Sequence, residues 1–166
     1  LMARLDRLGP AKDIAQLGAI FGREFSYELI HVVSPLDEAT LQRGLKQLVE
    51  AELMYQRGLL PQDRYIFKHA LIQDTAYHSL LKSKRQHYHQ QIAQVLEAQF
   101  HETVETQPEL VAHHYTEAGF SEQAIPYWQQ AGQRAVQRSA HVEAVAHLTR
   151  GLELLKTLPA TPERIS

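Results

Sequence analysis

The stretch that decides the fold is Tyr65-Ile66-Phe67-Lys68-His69-Ala70-Leu71-Ile72-Gln73-Asp74-Thr75-Ala76-Tyr77. At its start, Tyr65 and Phe67 alternate with Ile66 and Lys68, and this period of two predicts a β-strand. Beyond His69, apolar and small residues recur every three or four positions, which predicts a helix that runs to about Leu81. The stripe that this helix should bury comprises Leu71, Ile72, Thr75, Ala76 and Leu80.

His69 lies at the change from strand to helix. The first backbone N–H groups of a helix have no partner within the helix and carry partial positive charge, so they favour anions. An imidazole at this position can add a further hydrogen-bond donor. The sequence thus makes His69 a candidate contact for an anion, and a capping or packing role at the junction is the alternative.

Helices precede this stretch, and the longest of them spans about residues 37–52. Two strand-like runs follow, at residues 53–57 and 64–68, with a turn region between them. Three helices followed by a β-hairpin is the order of a winged-helix domain. We therefore predict a mainly α chain that begins with a winged-helix domain, carrying one small hairpin, over residues 1–82.

The helix over residues 37–52 would take the place of a DNA recognition helix, but its charge argues against that use. Its basic residues are Arg43 and Lys46. They are outnumbered by Asp37, Glu38, Glu50 and Glu52. Because a helix in the major groove should be basic on its exposed side, we expect this helix to pack against a neighbouring domain. A DNA-binding regulator is the less favoured alternative.

Residues 83–166 are predicted to form tetratricopeptide-like helical repeats. Helices are expected near residues 107–118, 121–138 and 140–158, and small residues face a bulky one, as closely packed helices require. The frame consists of Gly119, Ala124, Trp128 and Ala131, and Ala144, Leu148 and Gly151 repeat its last three positions. The candidate partner-binding residues in this region are Tyr115, Tyr127 and Trp128.

The histidines do not suggest a metal site in the sequence. His87 and His89 are two residues apart, so they should lie on different faces of a helix. His113 and His114 are neighbours, and their side chains are expected to diverge. We therefore predict no metal site and assign these residues to core or surface packing.

Composition excludes several classes of function. The 166 residues carry a formal net charge of −2, so no global field attracts nucleic acid or anionic membrane. The chain has no cysteine, which excludes disulfides and thiolate metal sites and suits a reducing, cytoplasmic setting. No apolar run approaches the ~18 residues that a membrane span needs. The N-terminal residues do not resemble a natural start, so we expect the chain to be part of a longer protein.

Catalytic motifs are also missing from the sequence. It contains no G-x-x-x-x-G-K-[ST] phosphate-binding loop, no G-x-S-x-G and no H-E-x-x-H. We therefore expect no catalytic residues and no cofactor in this chain.

The segment Phe67-Lys68-His69-Ala70-Leu71-Ile72-Gln73-Asp74 resembles the Met-His-Asp segment of STAND signalling ATPases, which include plant disease-resistance proteins and apoptotic protease-activating factors. In that family a nucleotide-binding domain and a helical domain precede a winged-helix domain, and the histidine contacts the β-phosphate of bound ADP. The resemblance places this role on His69. Lys68 and Ala70 replace the Met and Asp of the motif, so the role of that acid is missing.

A longer pattern consists of Gly22-Arg23-Glu24-Phe25-Ser26, then Leu41 to Leu53, then His69-Ala70-Leu71-Ile72-Gln73-Asp74. It resembles one bacterial branch more closely, the predicted ATPases that often follow a class III adenylate or guanylate cyclase domain or a protein kinase domain, and the resemblance covers nearly the whole chain. It implies ATP or ADP in the parent protein, an upstream nucleotide-binding domain as one partner, and a protein or small-molecule inducer at the helical repeats. The segment itself would be regulatory and non-catalytic. A helical-repeat scaffold without nucleotide sensing is the alternative.

Overall fold

The computed structural model describes residues 1–159, which are mainly helical and include a small antiparallel sheet. The chain divides into two compact units, one from Leu1 to Tyr88 and one beginning at His89. The predicted boundary, between residues 82 and 83, lies slightly earlier, at the start of the helix (Lys82–Gln99) that contains Tyr88 and His89. In chain order the elements are α1 (Met2–Asp6), α2 (Pro10–Phe21), β1 (Glu24–Ser26), α3 (Tyr27–Val33), α4 (Glu38–Glu50), β2 (Met54–Arg57), β3 (Arg64–Phe67), α5 (Ala70–His78), α6 (Lys82–Gln99), α7 (His101–Thr106), α8 (Pro108–Ala118), α9 (Ser121–Gln137) and α10 (His141–Thr157).

Helix α2 lies at the centre of the first unit and packs against α4 and α5. Gly44 permits the close approach of α4, because a Cβ atom there would lie 3.6 Å from the Cα atom of Ala11 and would overlap Ile14. Local caps fix where the neighbouring helices begin. The Ser26 hydroxyl accepts a hydrogen bond from the Leu29 N–H at 3.2 Å, and the Asp37 carboxylate accepts one from the Thr40 N–H at 3.2 Å.

The sheet contains the predicted hairpin and one further strand. Strands β2 and β3 pair antiparallel, with Met54 opposite Phe67, and β1 pairs with the other edge of β3 to give the order β1-β3-β2. Strand β1 is only three residues long, so it has no detectable period in the sequence. The buried ring of Phe25 attaches this strand to the core, since it lies 5.8 Å from the Tyr65 ring and 6.0 Å from the Phe21 ring.

Helix α5 follows β3 directly, as predicted, but the predicted stripe is wrong at one position. Ile72 and Ala76 are buried, whereas Leu71 is 68% exposed. Adjacent residues point about 100° apart around a helix, and the face of α5 that meets the core includes Ile72 and leaves Leu71 exposed. Helix α5 ends at His78, before the predicted Leu81.

The second unit contains the three helices predicted for this region. Helix α9 packs against both α8 and α10. The turn after α8 requires a left-handed residue, and Gly119 supplies it with a φ of 87°. Trp128 and the alanines of the predicted frame are buried, as is Gly151, but Gly119 is exposed and Leu148 is 38% exposed.

Candidate functional site

The first candidate site, here called the β3–α5 corner, consists of Arg23, Lys68, His69 and the first turn of α5. His69 is the N-cap residue of α5, with an extended backbone. Its carbonyl oxygen accepts a hydrogen bond from the Ile72 N–H at 3.0 Å, so the main chain is fixed at the start of the helix. Its imidazole is exposed and makes no capping hydrogen bond. The His69 side chain therefore does not cap α5, so the capping role considered as an alternative to anion binding is wrong.

Arg23 holds the backbone of the β3–α5 corner in place. Its Nε atom donates to the carbonyl of Phe67 at 3.1 Å, and a terminal nitrogen donates to the carbonyl of Lys68 at 3.3 Å. The Phe67 N–H donates in return to the Arg23 carbonyl at 2.9 Å. These bonds fix the residues immediately before His69, so the imidazole projects from a rigid support.

The β3–α5 corner is positively charged. Arg23 is exposed, Lys68 is half-buried with its ammonium 5.6 Å from the Tyr55 ring centroid, and the first turn of α5 contains no acidic residue. The nearby carboxylate of Glu24 is already paired with Arg64 at 2.5 Å. Unpaired N–H groups at the start of a helix add to this field, so the β3–α5 corner can accept an anion.

The three aromatic residues proposed for partner binding lie together in the second unit, but two are buried. Tyr115 and Trp128 are 5% and 4% exposed, and Tyr127 is half-buried. The hydroxyls of Tyr115 and Tyr127 donate to the two carboxylate oxygens of Glu97. The indole N–H of Trp128 donates to the Thr116 hydroxyl at 2.9 Å. These side chains stabilise the unit, and their role in partner binding stays a prediction.

The tyrosine hydroxyls are held in the protonated form by their surroundings. Burial first, and then the hydrogen bond to Glu97 and the negative charge of Glu97, together raise the pKa of Tyr127 to about 12. The pKa of Tyr115 is raised by burial first and then by Glu97. Tyr115, Tyr127 and Glu97 therefore form one hydrogen-bonded group.

A second candidate site, here called the histidine cluster, consists of His89 on α6 and His113 and His114 on α8. The possible ligand atoms of the three side chains all lie within 4.8 Å of one another. The Nδ1 atoms of His89 and His114 are 2.8 Å apart, and both rings are 1% exposed. His113 is half-buried, and its ring centroid is 5.3 Å from that of His114. The prediction that His113 and His114 diverge is therefore wrong.

The spacing of histidines along one helix does not reveal the histidine cluster, because its members come from both α6 and α8. A usable signal was present on each helix separately. His89 continues the buried positions Ile92 and Leu96 at helical spacing, and His114 occupies the same face of α8 as Val111 and Ala118. A polar residue in an apolar stripe needs a buried partner, and two such stripes suggest that the partners are each other.

Burial favours the neutral form of His113 and His114 by lowering the pKa of each ring. The pKa of His114 is lowered well below its usual value, first by burial and then by the neighbouring His89 and His113. The pKa of His113 is lowered by burial and by the Arg150 charge, against an opposing effect of Glu117. A neutral imidazole has one unprotonated nitrogen, whose lone pair can accept a hydrogen bond or bind a metal ion.

Comparisons with known proteins identify a similar sequence within a longer protein. No protein-family model matches this chain, and no solved structure matches it. The chain is 28% identical over 155 residues to an uncharacterized protein of Rhizobium meliloti. The match covers 93% of this chain and 15% of the length of that relative. Within residues 1–159, no helix combines the length and the apolar character needed to cross a membrane.

Proposed function

We propose that this chain is a non-catalytic regulatory segment of a multidomain STAND-type signalling ATPase. The first unit would be a winged-helix domain that responds to the nucleotide bound by an upstream domain. The second would be a tetratricopeptide-like region that binds a protein or small-molecule inducer. The observation that carries the proposal is the exposed imidazole of His69 at the start of α5.

The chemistry of the β3–α5 corner supports a phosphate as the group that His69 meets. A phosphate would find the first N–H groups of α5, the imidazole and the cation of Lys68 at one place. No acid in the first turn of α5 would repel it. Without the phosphate-binding loop of a neighbouring domain these contacts would not retain a nucleotide, since one charge-assisted hydrogen bond contributes only about 1.5–3 kcal/mol.

The surroundings of the imidazole also support docking of a further domain. Leu71, two residues after His69, is 68% exposed and offers an apolar contact on the first turn of α5. Arg23 fixes the main chain there, so a docked domain would meet a preformed surface. Ligand exchange in the upstream domain would then favour the docked or the released state of this surface.

Fold-level features give weaker support, because one fold hosts many functions. The order of helices α2, α3 and α4 and strands β1, β2 and β3 in the first unit is the order expected of a winged-helix domain, and α9 packs against both α8 and α10, as neighbouring repeat helices would. The matched Rhizobium meliloti protein is far longer than this chain, which fits a multidomain setting. A cytoplasmic location, where ATP is available, follows from the same proposal.

The test is the His69→Ala variant of the full-length protein that carries this sequence. The proposal predicts that this variant loses bound ADP during gel filtration and has raised basal activity, while the wild type keeps ADP. His78→Ala is a matched control, because His78 is an exposed histidine at the other end of the same helix. Unchanged ADP content and unchanged basal activity in His69→Ala would refute the sensor role.

A helical-repeat scaffold without nucleotide sensing is the second candidate, and one surface favours it. Helices α9 and α10 form an apolar groove of about 400 Å³, lined by residues that include Ile125, Leu148 and Leu152. Nearer the N-terminal end of α10, Val142 and Val145 are strongly exposed. Capture of one defined partner by residues 105–166, with no effect of nucleotide on the full-length protein, would favour the scaffold over the sensor.

A further inference from the structure

We propose that the histidine cluster of His89, His113 and His114 binds one divalent transition-metal ion of the zinc class. The three imidazoles come from two different helices, α6 and α8, and their possible ligand atoms lie within 4.8 Å of one another. Two of the three rings are almost completely buried. The site does not rest on the nucleotide-sensing role of His69, since it involves no residue of the β3–α5 corner.

The ligand set selects the class of ion. Imidazole nitrogens suit zinc, copper, nickel and cobalt, whereas magnesium and calcium require oxygen ligands. The sequence has no cysteine, so thiolate ligands are excluded. Within the described part of the chain, no carboxylate belongs to the cluster. A three-histidine set that leaves one position open is a known arrangement for zinc.

The distances of the cluster are close to those that zinc needs. Zinc–nitrogen bonds of about 2.0–2.1 Å in tetrahedral geometry separate two ligand nitrogens by roughly 3.3 Å. The Nδ1 atoms of His89 and His114 are 2.8 Å apart, so they must move apart by about half an ångström. Side-chain rotations that bring the three nitrogens, now within 4.8 Å of one another, to this separation would complete the site.

The proton between His89 and His114 has a defined path when the ion binds. In the metal-free protein one Nδ1 atom carries the hydrogen and donates it to the other Nδ1 atom. If both Nδ1 atoms bind the ion, the donor ring must carry its proton on Nε2 instead, which requires exchange with solvent. Each ring remains a neutral imidazole, so binding at this pair releases no net proton.

The open side of the site lies at His113, which is the half-buried member of the cluster. An ion can enter there, and a water molecule can fill the fourth position. Because His89 belongs to α6 and the other two ligands to α8, the bound ion would link these helices. Anything that binds only the folded state stabilises it, so saturating zinc should raise the melting temperature.

The experiment uses the full 166-residue chain without an affinity tag, because a polyhistidine tag would itself bind zinc. Metal-stripped protein is titrated with Zn²⁺ by calorimetry, with Mg²⁺ as the hard-cation control, and its melting temperature is measured with and without Zn²⁺. The variants are His113→Gln and His89→Gln. The matched control is His141→Gln, which changes an exposed histidine of the same unit.

We expect one Zn²⁺ per chain, a raised melting temperature and no response to Mg²⁺. His113→Gln should weaken binding more than about tenfold, because even outer-shell changes at zinc sites cost 10–100-fold. His141→Gln should behave like the wild type. The Co²⁺ form should show the intense visible absorption of a tetrahedral nitrogen site, and this band should be absent in His113→Gln.

The outcome that would overturn the proposal is zinc binding that is equally strong in wild type and His113→Gln, or that weakens equally in His141→Gln. Either result would mean that scattered surface histidines hold the ion. Absence of any binding in the wild type would also overturn it. If His89→Gln fails to fold by circular dichroism in EDTA, the half-buried position of His113 keeps the test decisive.

Discussion

His89 and His114 form a direct imidazole–imidazole contact in the interior of the second unit, with Nδ1 atoms 2.8 Å apart. The contact joins α6 to α8 at a place where apolar residues fill the neighbouring positions on both helices. A buried polar pair of this kind fixes the register of two helices, because a shift of either one would leave a ring nitrogen without its partner.

The first prediction concerns the cost of removing one member of this pair. His114→Leu should lower the free energy of unfolding by about 1–3 kcal/mol, because the buried His89 loses the hydrogen bond that it shares with His114. Urea denaturation in EDTA measures this quantity without any contribution from metal. His141→Leu, at an exposed position, should change it by less than about 0.5 kcal/mol. Equal effects of the two substitutions would contradict the structural role of the pair.

The second prediction separates two adjacent residues of α5. Ile72→Ala should cost about 2–5 kcal/mol of unfolding free energy, because Ile72 is buried against the core. Leu71→Ala should cost less than about 0.5 kcal/mol, because Leu71 is exposed. Chemical denaturation of both variants gives the comparison. A large loss in Leu71→Ala together with a small one in Ile72→Ala would mean that α5 is rotated about its axis.

The third prediction compares two buried glycines in helices. A Cβ atom at Gly18 would lie 2.6 Å from the Cε1 atom of Phe25, a buried ring that cannot move aside. Gly18→Ala should therefore cost about 1–3 kcal/mol through overpacking, despite the gain in helix propensity. A Cβ atom at Gly132 would meet only the half-exposed Leu148 side chain, which can rotate away. We expect a smaller loss, or a gain, for Gly132→Ala in thermal unfolding.

The fourth prediction concerns alkaline pH. The folded protein raises the pKa of Tyr127 to about 12, above the ~10 of an unfolded chain. The folded state thus keeps a proton that the unfolded state loses, so the stability from this group is intact below pH ~10 and decreases between there and about 12. Stability measured against pH should show this decrease, and it should be smaller in Tyr127→Phe.

A further test changes Glu97, which accepts the hydrogen bonds of the Tyr115 and Tyr127 hydroxyls. Glu97→Gln removes the negative charge beside the Tyr115 and Tyr127 hydroxyls, so tyrosinate absorbance should appear at lower pH than in the wild type. Glu105→Gln, which changes an exposed acid of the same unit, is the control. Identical titration curves for wild type and Glu97→Gln would show that the carboxylate does not affect these hydroxyls.

Sequence patterns predicted the features that depend on neighbouring residues. The period change at His69 gave the junction of β3 and α5, and the spacing of small and bulky residues gave α8, α9 and α10 within a few residues. These features follow from local geometry, because side-chain period and backbone conformation are directly linked.

Features that depend on distant residues were missed or wrong. Strand β1 exists because β3 offers it a free edge, and three residues have too little period to indicate that pairing. The exposure of Leu71 depends on which side of α5 faces α2, and one helix alone does not determine this. The histidine cluster requires His89 to meet residues of another helix, and spacing within one helix indicates only that each histidine lies on a buried face, not the distance between the rings.

The dissociation rate of ADP from the full-length protein tests the central claim most directly. Loss of one charge-assisted hydrogen bond, worth about 1.5–3 kcal/mol, should make release from His69→Ala about ten- to a hundredfold faster than release from the wild type or His78→Ala. A fluorescent ADP analogue chased with excess ATP gives the rate. If His69→Ala releases the analogue at the wild-type rate, His69 does not contact the nucleotide and the regulatory account is contradicted.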